Sequence, residues 1–425
     1  MNVADSDRLA RALGTLGLEE TNDASQAGMI VLNTCVVRQS AEDRALGRLN
    51  SLRPLKNENP NLIIGLMGCL VGIKGNAAME KRYPWVDIFA APSDPEPFLR
   101  FLEDRIGIDD SEAWRRQVDQ VLDAEFGVTT AARHTVSENL PIVLGCSHAC
   151  AYCVIPGRRG RERSRDPKKI LAEAQVMVEH GAKELVLLGQ IVDRYGLDLE
   201  DQTRLSQLLA DLSQIDGLER VRFLTSHPGW MTEDLIEAVA RLPKVMPHIE
   251  VPVQAGDDDI LKMMRRGYNN QQYRDLVQLI RKIIPDVSIG TDIIVGFPGE
   301  SEAAFEETYR LLEDLRLDVA HLARYSPRPN TYSARFLPDD VPADEKMRRF
   351  RALEDLQKQI VGEINQKFLG QLQPVLFEGN SKGRWRGRTP TNRLVFVEDP
   401  SDLTGQIRNV RITWAGPWSM VGELD

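Results

Sequence analysis

No apolar run in the 425 residues comes near the roughly 18 that a membrane-spanning helix needs. The opening stretch MNVADSDRLARALG also lacks the basic-then-apolar order of a secretory signal. Both gaps point to a cytoplasmic protein with no membrane partner. Positive charge is in short supply as well: 53 Lys and Arg face 63 Asp and Glu, a net charge of −10. The bulk field therefore opposes nonspecific adhesion to nucleic acid, and only local basic patches could hold a phosphate backbone. With 42% hydrophobic and 27% charged residues the composition is globular, which excludes disorder and collagen. The length leaves room for about two to four domains.

Cysteine is scarce too. Cys35, Cys69, Cys146, Cys150 and Cys153 form an odd, unevenly clustered set, unlike a disulfide framework, so metal or redox chemistry is the better reading. Three of them stand in Cys146-Ser-His-Ala-Cys150-Ala-Tyr-Cys153, directly after the apolar run Pro141 to Gly145. A CxxxCxxC triplet at a strand end folds back as one loop, bringing three thiolates to one metal centre with no fourth thiolate nearby. In a 4Fe-4S cluster one iron would then stay open to a small molecule. Structural zinc is the alternative, with His148 or a distant residue as fourth ligand. Zinc sites usually pair two CxxC-type knuckles, and no second knuckle exists here. His148 reads as a solvent-facing loop residue.

The pattern along the chain is α/β. Residues 1–103 open with a helix from Asp7 to Leu16, capped by Asp5 or Ser6. Strands follow at Met29 to Asn33 and Leu62 to Met67, each leading to a cysteine at the carboxyl edge of an open α/β sheet, where ligands usually bind. Taken singly, Cys35 and Cys69 read equally well as buried inert thiols. Residues 104–139 read as a helical, acidic linker. From 140 to 342 strands at Ile142–Leu144, Leu185–Leu188, Val221–Thr225, Ile249–Val253, Val287–Val295 and Val319–Ala323 alternate with helices such as Lys169–Glu179 and Gln271–Ile283. Repeated βα units of this kind curl into a partial six-stranded barrel with its chemistry at the carboxyl ends of the strands. Cys146, Gly189-Gln190, Ser226-His227 and Gln254 follow successive strands there.

A helical connector, 343–369, leads to a unit over 370–425 with short β runs at Gln373–Phe377, Leu394–Val397, Arg408–Ile412 and Ser419–Gly422, which predicts a small five-stranded barrel of the oligonucleotide-binding kind. Between its first strands lies an acid-free basic stretch containing Lys382, Arg384, Trp385, Arg386, Arg388 and Arg393. It suits phosphate contacts with base stacking on Trp385, the alternative being a solvated hairpin. A second basic run follows the cysteine loop: Arg158, Arg159, Arg161, Arg163 and Arg165 against the single Glu162, which suits guidance of a polyanion.

The cysteine triplet resembles the signature of the radical S-adenosylmethionine (SAM) enzymes, and its surroundings resemble one branch of them, the methylthiotransferases, over nearly the whole chain. The matching stretches are Leu32-Asn33-Thr34-Cys35, Gly68-Cys69, Tyr152 to Pro156 with Arg159-Gly160, Leu187 to Gln190, Thr225 to Pro228, Pro252 to Gln254 and Asp292 to Glu300. The terminal unit resembles the TRAM domain. Ser-His-Pro, Gly-Gln and Gly-Arg-Thr-x-x-Asn-Arg are most similar to the members that act on dimethylallyladenosine next to the tRNA anticodon.

The resemblance implies a 4Fe-4S cluster on Cys146, Cys150 and Cys153 that cleaves SAM. It also implies a second 4Fe-4S cluster on Cys35, Cys69 and a further cysteine, an electron donor such as flavodoxin or ferredoxin, and iron–sulfur delivery proteins. Gly189 would permit close approach of SAM, with Gln190 beside it, and Tyr152 and Asp292 would contact its adenosine; for Asp292 the alternative is a capped or salt-bridged strand-end acid. The basic side chains Arg158, Arg159, Arg161, Lys382, Arg384, Arg386, Arg388 and Arg393 would meet RNA. His227 either lines the pocket or is a satisfied structural histidine. The family's first cysteine stands in Gly-Cys-Gln-Met-Asn, whereas this chain opens at Met1-Asn2. The expectation is a start placed just after that cysteine; otherwise the second cluster lacks a ligand. Two other functions stay open: methylthiolation of a ribosomal-protein aspartate, and an RNA-binding protein whose cluster is not catalytic.

Overall fold

The N-terminal unit is a parallel sheet of β1 (Met29–Thr34), β2 (Ile63–Gly68) and β3 (Ile88–Ala90), in that order, wrapped by helices Asn2–Thr15, Gln39–Glu58 and Glu96–Ile106. Strand β2 is buried along its whole length because helices cover both faces of the sheet, and its sequence is correspondingly a near-continuous apolar run. The first helix begins at Asn2, earlier than the expected Asp7, and has no side-chain cap. Asp5 cannot cap it: its carboxylate is turned inward onto Arg159. The computed structural model describes residues 1–75, 77–106, 116, 119 and 135–425, so most of the expected linker lies outside the described residues.

The central unit holds two three-stranded parallel sheets, β4 (Ser137–Pro141) with β7 (Glu184–Leu188) and β8 (Arg220–Phe223), then β9 (His248–Glu250) with β10 (Ser288–Val295) and β11 (Val319–Arg324). A bridge between Val221 and Val245 joins them into the expected partial barrel. Its interior and the surrounding helices share one core, including Leu140, Leu187, Phe223, Ile249, Ile289 and Leu312. Burying each such side chain is favourable by about 1.5–3 kcal/mol. The first barrel strand is not Ile142–Leu144, as expected, but β4. Ile142 still donates to the Leu188 carbonyl at 2.8 Å, after which β5 (Val143–Leu144) pairs antiparallel with β6 (Arg163–Ser164).

The C-terminal unit is a closed barrel in the order β12 (Leu372–Ser381), β13 (Arg384–Arg388), β14 (Leu394–Val397), β16 (Met420–Leu424), β15 (Ile407–Ala415). Much of the basic stretch expected as a loop is therefore strand β13. Its period-two alternation sends Arg384 and Arg386 outward and Trp385 inward. Trp385 is part of the barrel core, and its indole N–H donates to the Asp399 carbonyl at 3.0 Å, so it is not available for stacking on a base.

The two outer units grip opposite ends of the central one. The terminal barrel sits at the amino ends of the strands: Arg220 donates to the Arg388 and Pro374 carbonyls at 2.7 and 3.0 Å. Arg222, paired with Glu184 at 2.7 Å, reaches the Thr389 and Pro390 carbonyls. The N-terminal unit packs at the carboxyl ends through Arg159 with Asp5 and Arg328 with Glu42, and reaches back to the start of β4 through Arg11 with Glu138.

Candidate functional site

Residues 145–162 form a loop whose two ends are clasped by β5 and β6. Gly145 makes the close approach possible. Its φ is +67°, and a Cβ there would lie 2.1 Å from the Arg161 carbonyl oxygen, so no larger residue fits. Cys146 N–H then donates to Gly160 O at 3.0 Å, and Cys153 N–H to Cys150 O at 3.1 Å. Ala151 anchors the loop from outside, donating to Met264 O and accepting from Ser333 N–H at 3.0 and 2.8 Å. Burial pushes the Cys146 thiol up, and pushes Cys153 up to about 12, with Cys150 and Cys146 adding to the Cys153 effect as neighbouring negative charges. All five cysteines are free thiols. Arg266 donates from Nη1 to the Cys150 sulfur at 3.2 Å.

Polar groups crowd the inner side of this loop. His148 is half-buried rather than solvent-facing, with its ring 4.5 Å from that of His227. His227 is 3% exposed, and its Nδ1 accepts from Gly229 N–H at 3.1 Å, which puts the ring proton on Nε2. Burial, then Arg266, His148 and Arg194, hold its pKa down at about 2. His148 Nε2, Ser226 Oγ and His227 Nε2 are buried without hydrogen-bond partners. Asp193 accepts from the His227 backbone N–H at 2.9 Å, and burial raises its carboxyl to about 7. Thr225 and Gln254, at the ends of β8 and β9, hold φ of +69° and +74°, strain of the kind that collects at functional sites. Sequence reasoning singled out neither Arg266 nor Asp193; neither belongs to a motif with a chemical signature.

The resemblance-derived contacts divide. Tyr152 packs edge-on against Phe297 behind the loop, centroids 6.4 Å apart. Gly189 is tight because Val143 Cβ and Val192 Cγ1 lie 3.0 Å from where its Cβ would be; protein, not ligand, fills that space. Gln190 beside it is half-buried. Asp292 on β10 is raised by burial, tempered by His321, and Gln254 N–H donates to its carbonyl at 2.8 Å.

Cys35 and Cys69 are brought together by Thr34. Its carbonyl accepts from Cys69 N–H at 3.0 Å, while its hydroxyl donates to Met67 O at 2.7 Å and accepts from Leu70 N–H at 3.2 Å. Burial raises the Cys69 thiol, opposed by Arg159, with Cys35 close enough to add to the rise. Cys69, Cys146 and Cys153 border one apolar cluster, which also holds residues of the N-terminal sheet and of the cysteine loop.

The basic run after the loop does not form one cationic face. Arg159 is paired with Asp5 at 2.9 Å and bonded to Asn2, and Arg165 is paired with Glu173 at 2.6 Å. Arg158 packs against Gly72, leaving Arg161 and Arg163 exposed. In the terminal barrel Lys382, Arg384 and Arg386 are exposed, with Arg386 3.6 Å from Glu378. Arg388 leans on the same carboxylate at 3.2 Å, and Arg393 is tied to Asn365 and Asp318. Arg159 and Arg393 are thus structural ion-pair partners rather than free RNA contacts, since each is tied to a carboxylate, buried in Asp5 and half-buried in Asp318.

Among the described residues no three Cys, His, Asp or Glu side chains converge on a single metal ion, the arrangement that structural zinc would need. An iron–sulfur cube instead takes each cysteine on a separate iron. Three free thiols on one loop, a guanidinium on one sulfur and unpartnered buried polar atoms alongside fit such a cluster with a polar co-substrate.

Residues 140–312 match the radical SAM superfamily, residues 1–91 the uncharacterized protein family UPF0004, and residues 366–424 the TRAM domain. A tRNA-2-methylthio-N(6)-dimethylallyladenosine synthase of Roseiflexus sp. (strain RS-1) is 48% identical, aligned over 100% of this chain and 87% of its own. The chain belongs to the radical SAM methylthiotransferase family, in its MiaB branch. Synthases of the same description from Dehalococcoides mccartyi (strain CBDB1) and Clostridium botulinum (strain Hall) are 44% and 40% identical, over 100% of this chain and 96% and 94% of theirs. The methyltransferase TsrM of Kitasatospora setae shares the fold of the radical SAM methylthiotransferase at a TM-score of 0.54 and 14% identity, covering 75% of this chain and 70% of that one. Membership implies a 4Fe-4S cluster, SAM and a second cluster. No helix among the described residues is long and apolar enough to cross a membrane.

Proposed function

We propose that this chain converts N(6)-dimethylallyladenosine next to the tRNA anticodon to its 2-methylthio derivative, in the cytoplasm. The observation that carries the reading is identity of 40–48% along the whole chain to synthases described by that reaction. The cysteine loop and the outward-facing basic side chains of the terminal barrel support it. Cys146, Cys150 and Cys153 would hold the cluster that binds SAM, and Cys35 and Cys69 would be ligands of the second. When bound, cluster and SAM supply a hydrogen-abstracting radical, which suits an aromatic carbon too weakly acidic for a side-chain base.

The chain's own residues position and protect. Tyr152 and Phe297 close the back of the loop and exclude water. The Nε2–H of neutral His227 and the Ser226 hydroxyl offer hydrogen bonds to polar groups of the co-substrate. Gln190, just past β7, and Asp292, within β10, would contact its adenosine. Lys382, Arg384, Arg386 and Arg161 would bind RNA phosphates, while an anticodon-loop base is splayed into the pocket at modest unstacking cost. A flavodoxin or ferredoxin would deliver the electron.

The test is nucleoside mass spectrometry of tRNA from a strain lacking the gene. The expected result is loss of the 2-methylthio nucleoside with accumulation of the dimethylallyl precursor; an unchanged profile overturns the reading. Anaerobic protein with reductant and SAM should release 5′-deoxyadenosine, and Cys150→Ala should abolish it.

A further inference from the structure

Arg266 presents an energetic problem that the fold alone does not solve. The side chain is 5% exposed, yet no Asp or Glu among the described residues pairs with it. A buried cation without an anion is costly, so an anionic partner is expected at this position. The groups that do meet it are neutral or sulfur. Nε donates to Tyr268 Oη at 2.9 Å, Nη2 to the Pro252 carbonyl at 3.2 Å, and Nη1 to Cys150 Sγ at 3.2 Å. Tyr268 is itself fixed by donating to the Pro252 and Val253 carbonyls at 3.0 and 2.8 Å, so the guanidinium is held in one orientation. The preceding Arg265, at φ +60°, is exposed and lies over Tyr332 at 3.7 Å; the backbone turn there sends one arginine out and the next in. A side chain held this way is aimed at the sulfur by design of the backbone, not by the drift of a flexible cation.

We propose that Arg266 sets the reduction potential of the cluster on Cys146, Cys150 and Cys153, by hydrogen-bonding the Cys150 sulfur and placing an uncompensated positive charge beside it. The proposal rests on the cluster assignment of the proposed function. Reduction adds one electron from an external one-electron donor, and the cluster becomes more negative by one charge. A donor on a ligand sulfur and a cation in a poorly solvated site stabilise that reduced state more than the oxidised one, which raises the potential. Arg266 acts here as a positioning residue, through Cys150.

Redox titration of the reconstituted full chain with dithionite, followed by electron paramagnetic resonance, tests this alongside iron counting and SAM affinity. In Arg266→Met the reduction equilibrium should become at least tenfold less favourable, about 59 mV for one electron. Arg266→Lys, which keeps the charge but loses the fork, should fall between. Tyr268→Phe, which frees Nε, should shift the same way by less. Unchanged potentials in Arg266→Met at normal iron content overturn the proposal, as does an unchanged potential with tenfold weaker SAM binding, which would assign the arginine to the co-substrate carboxylate. Should Arg266→Met lose its iron, Arg266→Lys and Tyr268→Phe carry the same readout, and unchanged potentials in both overturn it. A natural chain that takes up no cluster overturns both this proposal and the functional reading, whereas a normal cluster with unmoved potentials overturns this proposal alone.

Discussion

Glu250 on β9 lies 3.4 Å from His248 Nε2 and 3.6 Å from His321 Nε2, and these imidazoles decide its charge. Burial would raise the carboxyl, but the neighbouring His248 and His321 rings pull it from 4.5 to about 2. Its contribution to stability is therefore present above pH 4.5 and lost as pH falls through about 2. The Glu250 carboxylate raises His321 above 6.5 against the effect of burial, so that contribution is present below pH 6.5 and lost as pH rises through the folded value. The pair is strongest between pH 4.5 and 6.5. His321→Gln should cost about 0.5 kcal/mol more near about pH 5.5 than near about pH 9, a small difference because the ring is half exposed to screening solvent. Urea denaturation of both proteins at the two pH values checks this, and equal losses would refute it. The same scale shows where sequence reading runs out. The cysteine spacing announced its loop because ligand spacing is local. The fate of Arg159 was hidden, since a charge in sequence carries no record of the distant carboxylate it will meet, here Asp5.

The cysteine loop depends on the β5–β6 clasp, and the clasp depends on Gly145. Gly145→Ala should destabilise the loop by about 2 kcal/mol or more, from positive φ and from collision with the Arg161 carbonyl. Iron bound after reconstitution should fall, while Gly157→Ala, with no heavy atom within 4 Å of its added methyl, should retain it. Equal iron in the two variants would count against the clasp. Most barrel strands were legible because a strand covered on both faces is largely an apolar run, as in β7. The first was misplaced because Ile142 to Leu144 is as apolar as a barrel strand yet serves the clasp, whereas β4 carries Ser137, Glu138 and Asn139. Strand β13 was read as a loop because its outward face is wholly basic. Only the inward turn of Trp385 betrays the alternation.

At the scale of the molecule, the joint between central and terminal barrels is made by guanidinium groups that reach backbone carbonyls across it, with Arg222 held in place by an ion pair inside the central unit. Glu184 and Arg222 are buried together, and Arg222→Ala leaves the carboxylate with the Ser137 hydroxyl but without a counter-charge. The expected loss is about 3–5 kcal/mol, read as a lower thermal midpoint, with Glu184→Gln/Arg222→Met together less damaging than Arg222→Ala alone. The exposed Lys382, Arg384 and Arg386 predict the opposite behaviour. Replacing all three by Gln should leave stability near that of the natural chain but flatten the dependence of tRNA affinity on salt by about two to three units of log–log slope. An unchanged slope would place the RNA elsewhere. Finally, the cysteine loop crowns one end of the strands and the terminal barrel sits at their foot. Any RNA touching both must run along the flank for the full depth of the barrel, which makes the molecule a ruler. A hairpin trimmed too short to reach the foot should still present its base at the crown, so its KM rises while its kcat stays close to that of intact tRNA.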